Sequence, residues 1–256
     1  MWRNLRIAVL LLVLLFVALN TYFDRRYATD WDAPLRVTVY PINGDGSPAA
    51  EHFLGVLNAD YFQPLENFFE QEARHYGMVM ERPIRFALAP TLRGMPPMRA
   101  ADAGIVQTVA WSLRTRYWAA RVPALPGPAP DIKLFVLYHD PERSPSLPHS
   151  AGLSKGLIGI VHVFAAHYML GSNDTIMAHE LLHTLGATDK YDPATNQPLF
   201  PDGYAEAQRQ PRYPQDSAEL MGGRIPLSST HSTIPESLQQ VIVGSKTAAE
   251  IGWHKS

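Results

Sequence analysis

The stretch Met-Ala-His-Glu-Leu-Leu-His-Thr-Leu-Gly-Ala-Thr-Asp over residues 177–189 constrains this chain more tightly than any other part of it. On a helix His179 and His183 are four residues apart, so both imidazoles leave the same face and can reach one ion. Glu180 lies about 100° round that helix, close enough to touch water on the ion without ligating it. Leu181, Leu182 and Leu185 fall on the other side, which demands a core behind the helix and a cleft in front. Gly186 suits the left-handed residue that ends a helix, and the reversal there can swing Asp189 back towards the histidines. Composition alone would produce His-Glu-x-x-His somewhere in such a chain with a probability of roughly 2%. Requiring Gly and Asp at fixed further positions lowers that by more than about two orders of magnitude.

Cysteine is absent, so thiolate sites, a cysteine nucleophile and disulfides are all excluded, and any metal must be held by His, Asp or Glu. Two imidazoles and one carboxylate leave a fourth tetrahedral position for water, the arrangement a catalytic zinc requires. Lys+Arg 22 against Asp+Glu 24 gives a net charge of −2 with no basic block, so nucleic acid is not an expected partner.

The residues His179, Glu180, His183, Gly186 and Asp189 resemble the long zinc motif of the metzincin clan of zinc peptidases, in the form whose third ligand is Asp, as in the snapalysin type. Residues 218–223, Ala-Glu-Leu-Met-Gly-Gly, stand where the clan has a methionine turn beneath the metal, with Met221 as its candidate methionine. Residues 245–253 are similar to the helix that follows that turn. The resemblance covers residues 172–223, about a fifth of the chain. It implies an α+β fold: a twisted sheet with backing and active-site helices, then a smaller C-terminal subdomain. It also implies Zn2+ held by His179, His183 and Asp189. Asp192, Glu206 and Glu219 remain alternatives for the third ligand, because the clan's commonest residue there is His. No Tyr stands two residues after Met221, so the group stabilising the oxyanion is unassigned; His231, Arg224, Tyr204 and Tyr213 are candidates.

Arg3 and Arg6 precede an unbroken apolar run over residues 7–19, and Tyr22 and Phe23 follow before Asp24-Arg25-Arg26. Residues 7–23 reach the short end of the roughly 17–25 needed to span a bilayer. The bulky residues after the run fit poorly with cleavage, so residues 1–27 read as an uncleaved single-pass anchor, with a secreted, cleaved form as the alternative. The N-terminal charge favours a catalytic domain outside the cytoplasm.

Residues 28–256 then form one domain, divided near 186 into an N-terminal subdomain and a C-terminal one over 187–256. Strands are expected over 36–40, 84–88, 132–138 and 157–164. Pro64, Leu65, Phe68, Phe69 and Tyr76 mark a helix closed by Gly77. Ile105, Val106, Val109, Ala110, Leu113 and Tyr117 mark a second, amphipathic helix. Asn43-Gly44-Asp45-Gly46 is a turn by default, and could instead mimic a calcium loop or plug a metal. His162 and His167 read as packed histidines. By analogy with the clan, residues 157–164 form the sheet edge that pairs with an extended substrate.

The function expected is a membrane-anchored zinc-dependent endopeptidase acting on a peptide or protein substrate, with a zinc-bound water and Glu180 as general base. Two alternatives stand beside it: a membrane-tethered metal- or peptide-binding protein without turnover, and a zinc amidase acting on cell-wall peptides. Retention of Glu180 disfavours the first, since a scaffold needs only the ligands.

Overall fold

The computed structural model describes Arg6 and residues 28–100, 103–153 and 157–253. The expected membrane segment, residues 7–23, lies outside them; no helix among the described residues is long and apolar enough to cross a bilayer.

A five-stranded sheet organises the chain, with strands β1 (Leu35–Asn43), β2 (Ile84–Leu88), β3 (Ile132–His139), β4 (Ala151–Leu153) and β5 (Ile158–Phe164) in the order β2-β1-β3-β5-β4. The first four in that order run parallel, and β4 pairs antiparallel with β5 at one edge. Parallel strands need helices on both faces, and these strands are accordingly apolar on both. Val37, Val39, Leu134, Val136, Val161 and Val163 point to one core and Tyr40, Ile42, Phe135, Leu137, Ile158 and Ile160 to the other. Helices α1 (Pro48–Val56), α2 (Gln63–His75) and α4 (Leu170–Leu185) bury residues in the first core, and α3 (Ile105–Arg121) in the second.

Helix α1 follows a turn and has a clear origin: Ser47 caps it, its hydroxyl accepting from the Ala50 N–H at 3.1 Å, and Pro48 occupies the first turn. The preceding Asn43–Gly46 turn is a structural joint. Asp45 accepts from the backbone N–H groups of Ser47 and Asp140, at 2.9 and 2.8 Å, and so ties the end of β1 to the end of β3.

The aliphatic stripe that marks α3 does not face the core: Trp111, Thr115 and Ala119 are buried, while Ile105, Val106, Val109, Leu113 and Tyr117 are exposed. The reason is aromatic bulk. Trp111 and Trp118 are seven residues apart and share a face, and Trp118 packs edge-on against Phe135 with ring centroids 4.6 Å apart. Nor do residues 157–164 form the expected sheet edge, because β4 covers β5. That edge strand is three residues long and centred on Gly152, too short to show a strand pattern.

Beyond Gly186 regular structure thins to short pairings, Ala218–Glu219 with Val241–Ile242 and Ile225–Pro226 with Ser232–Thr233, and a last helix α5 (Ser245–Glu250). The start of the described domain is docked there too: the Trp31 indole N–H donates to the Ile251 carbonyl at 2.7 Å.

Candidate metal centre

Helix α4 ends where its sequence says it should. Gly186 adopts φ 102°, its N–H bonds the His183 carbonyl at 3.1 Å, and the Ala187 N–H bonds the Leu182 carbonyl at 3.0 Å. This paired closure reverses the chain and carries Asp189 back over the last turn. His179 lines the cleft and His183 lies half-buried beside it, while Leu181, Leu182 and Leu185 are fully buried.

The structure brings three acceptor atoms together. His179 Nε2 and His183 Nε2 are 3.0 Å apart, and Asp189 Oδ1 is 3.2 Å from the first and 3.1 Å from the second. The opposite ring nitrogens fix the tautomers: His179 Nδ1 donates to the Leu220 carbonyl and His183 Nδ1 to the Ala187 carbonyl, each at 2.9 Å. A carbonyl only accepts, so each Nδ1 carries a proton and each Nε2 presents its lone pair whenever its ring is neutral. Burial lowers the His179 pKa, but the hydrogen bond to Asp189 outweighs it and raises the ring's proton affinity, so a proton or a cation is what this cluster attracts. A tetrahedral ion with bonds of about 2.0–2.1 Å needs ligands roughly 3.3 Å apart, close to this triangle. The donor set therefore fits zinc. Burial pushes the Asp189 carboxyl up, but hydrogen bonds from His179 and His183 outweigh it and hold the group well below the usual carboxylate range.

Glu180 is buried beside this triangle, with a carboxylate oxygen within 4.8 Å of the histidine nitrogens. Its carboxylate takes a backbone hydrogen bond from Gly152 of β4, while Oε2 has no partner. Burial raises its proton affinity against the opposing pull of the two histidines. Gly152 is what lets β4 approach: a Cβ there would lie 2.4 Å from His183 Cβ and 2.7 Å from the Glu180 carbonyl oxygen.

Of the alternative ligands, none reaches the triangle. Glu219 is fully buried and its carboxylate accepts from Gly222 N at 2.7 Å, Gly244 N at 3.1 Å and Thr247 Oγ1 at 2.6 Å. It therefore fastens the turn containing Met221 to α5. Met221 itself is buried next to Leu220, whose carbonyl orients His179. Asp192 Oδ1 caps its own turn through Ala194 N at 2.8 Å. Glu206 pairs with Arg209 at 2.7 Å on the Pro-rich loop.

Sequence reasoning missed the brace behind Asp189. Glu250 of α5 accepts from Thr188 N at 2.9 Å and Thr188 Oγ1 at 2.8 Å, and pairs with buried Lys190 at 2.9 Å. The residues on both sides of Asp189 are thus clamped, and only the contact of α5 with this loop, which spacing cannot reveal, brings them together. Tyr191 was missed as well. It hydrogen-bonds Asp189, its ring lies 6.4 Å from that of His179, and it lines the cleft. By contrast Tyr204 and Tyr213 bond each other at 2.9 Å, and His231 sits exposed beside Thr230. Arg224 does line the cleft, a cavity of about 440 Å³ that also includes Thr175, Ile176, Glu180 and Ile234. The sequence matches no protein-family model and no curated protein.

Proposed function

We propose that this chain is a zinc-dependent endopeptidase of metzincin type, anchored to a membrane by residues 7–23, with His179, His183 and Asp189 as zinc ligands and Glu180 as general base. One observation carries the reading: two imidazole nitrogens and a carboxylate oxygen converge within 3.2 Å of one another, and the unpartnered oxygen of a buried glutamate stands beside them. Structural histidines do not need a carboxylate left unsatisfied at their side, and an unsatisfied buried polar atom is costly unless something comes to it.

Zinc, when bound, would supply Lewis acidity towards a scissile carbonyl and lower the pKa of water in the cleft. Glu180 Oε2 takes the proton of the attacking water and passes it to the leaving amide nitrogen, while the Gly152 N–H holds the carboxylate in place. Arg224, which lines the cleft, and the Tyr191 hydroxyl, once it turns from Asp189, are the donors available to the developing oxyanion. The outer edge of β4 offers its backbone to an extended peptide, which positions any sequence, and the apolar cleft beside α4 receives a side chain. The reading therefore gives β4 the role that residues 157–164 were expected to play.

The test is cleavage of a peptide library by the purified full chain in detergent. Cleavage should stop with a chelator and return with zinc, and Glu180→Gln should keep zinc while losing about 10²–10⁴ in rate. Unchanged turnover in Glu180→Gln would remove this mechanism. Full zinc content with no cleavage of any peptide would favour the binding-protein alternative.

A further inference from the structure

We propose that the outward face of α3 is a lipid-docking surface that lies along an anionic bilayer. Val106, Val109, Leu113 and Tyr117 recur at intervals of three or four residues, and Ile105 adjoins them, so all five fall in an arc of roughly 120°. Their exposures are 82%, 54%, 55%, 61% and, for Ile105, 85%. Single exposed apolar residues are ordinary, whereas five along one helix face, broken only by half-buried Arg116 near one margin, mark a surface that something covers.

The stripe is held outward. On the opposite side Trp111, Thr115 and Ala119 are buried, the Trp111 indole N–H donates to the Pro97 carbonyl at 2.7 Å, and Lys133 Nζ donates to the Ala119 carbonyl at 2.8 Å. The helix cannot roll its aliphatic face inward without tearing out that support.

Charge identifies the occupant. Exposed Arg114 and Arg121 flank the stripe along one side, roughly 60–80° from Val106, and α3 contains no Asp or Glu. The Arg121 guanidinium lies 4.5 Å from the centroid of the Tyr117 ring. Aliphatic residues with a tyrosine and arginines at their margin, and no carboxylate, match the boundary between acyl chains and anionic headgroups. A protein groove could take the stripe but would not need the charge. The inference rests on the expected membrane segment, not on the peptidase chemistry: a domain tethered by residues 7–23 meets lipid at high effective concentration, so a face of modest affinity suffices.

The chain has no cysteine, so Val109→Cys, Leu113→Cys and, as control, Glu51→Cys at an exposed position of α1 each accept one environment-sensitive fluorophore. Each labelled full chain is reconstituted into vesicles of phosphatidylcholine with phosphatidylserine and read by emission, by a lipid-borne quencher and by flotation. The expected result is blue-shifted, quenched emission at 109 and 113 but not at 51. Reversing both arginines, Arg114→Glu with Arg121→Glu, should lower the docked-to-undocked ratio by about tenfold or more while flotation and thermal unfolding stay unchanged.

Floating chains whose labels at 109 and 113 are quenched no more than the label at 51 would overturn the docking and leave the anchor standing. Chains that do not float would overturn both. A blue shift that ignores the lipid quencher and grows with protein concentration would assign the face to a second copy. The same shift at high dilution in lipid-free detergent would assign it to the chain's own N-terminal segment. Equal quenching in pure phosphatidylcholine would overturn the selection by charge. None of these outcomes depends on whether peptides are cleaved.

Discussion

Helices α3 and α4 cover opposite faces of one sheet, are of similar length, and were both expected to be amphipathic, yet only α4 turned its aliphatic face to the core. In α4 the two faces differ in kind. Leucines oppose histidines, and no arrangement buries His179 and His183 more cheaply than it buries Leu181, Leu182 and Leu185. In α3 both faces are apolar enough to bury, and the indoles of Trp111 and Trp118 outweigh the aliphatic stripe. Periodicity establishes that a helix has faces; side-chain bulk and the chemistry of the sheet beneath decide which one is inside.

That contrast can be broken most sharply by truncation. Leu181→Ala removes a fully buried side chain from the core under the sheet and should cost about 2–5 kcal/mol, seen as a large fall in the midpoint of thermal or urea unfolding. A loss below about 0.5 kcal/mol, the range of ordinary surface substitutions, would mean that α4 is not the packed element described.

The next effect tests how closely β4 presses on α4. Gly152→Ala places a methyl group against His183 Cβ and the Glu180 carbonyl, neither of which is a flexible tip, and should cost about 1–3 kcal/mol with reduced zinc content. Wild-type zinc content and stability would show that the strand and helix stand further apart.

A third prediction concerns pH. Asp174 is on the inner side of α4, and burial pushes its carboxyl up to about 7. Its unfolded value is about 4, so the stabilisation is full below pH 4, where both states are protonated, and is lost as pH rises to 7 and above. Asp174→Asn should therefore gain up to about 4 kcal/mol over wild type at pH 8, and this advantage should shrink towards pH 4. An advantage that is constant with pH would contradict the burial. The smallest effect belongs to α3. Val109→Ser and Leu113→Ser should each stay within about 0.5 kcal/mol of wild type in detergent, and a core-sized loss would restore the stripe to the interior.

Legibility followed local chemistry. The parallel strands were readable because β3 and β5 are apolar runs of strand length and β1 and β2 alternate, and the end of α4 because Gly186 announces its own conformation. What escaped was whatever is specified by distant partners. β4 is a strand only because β5 offers it hydrogen bonds, and Tyr191 and Glu250 matter only because the loop after Gly186 folds across α5. Within the candidate centre, the sequence placed the two histidines and the glutamate on one helix, but it left four carboxylates open for the third position. Geometry narrows them, since Asp192, Glu206 and Glu219 are each engaged elsewhere.

The most direct test of the central claim is elemental analysis of zinc in the purified full chain and in its carboxylate variants after dialysis against metal-free buffer. One zinc per chain is predicted for the wild type and for Asp192→Ala and Glu206→Ala, with occupancy falling to a small fraction in Asp189→Ala as it does in His183→Ala. Full occupancy in Asp189→Ala, with zinc lost instead in Glu206→Ala, would contradict the proposed centre.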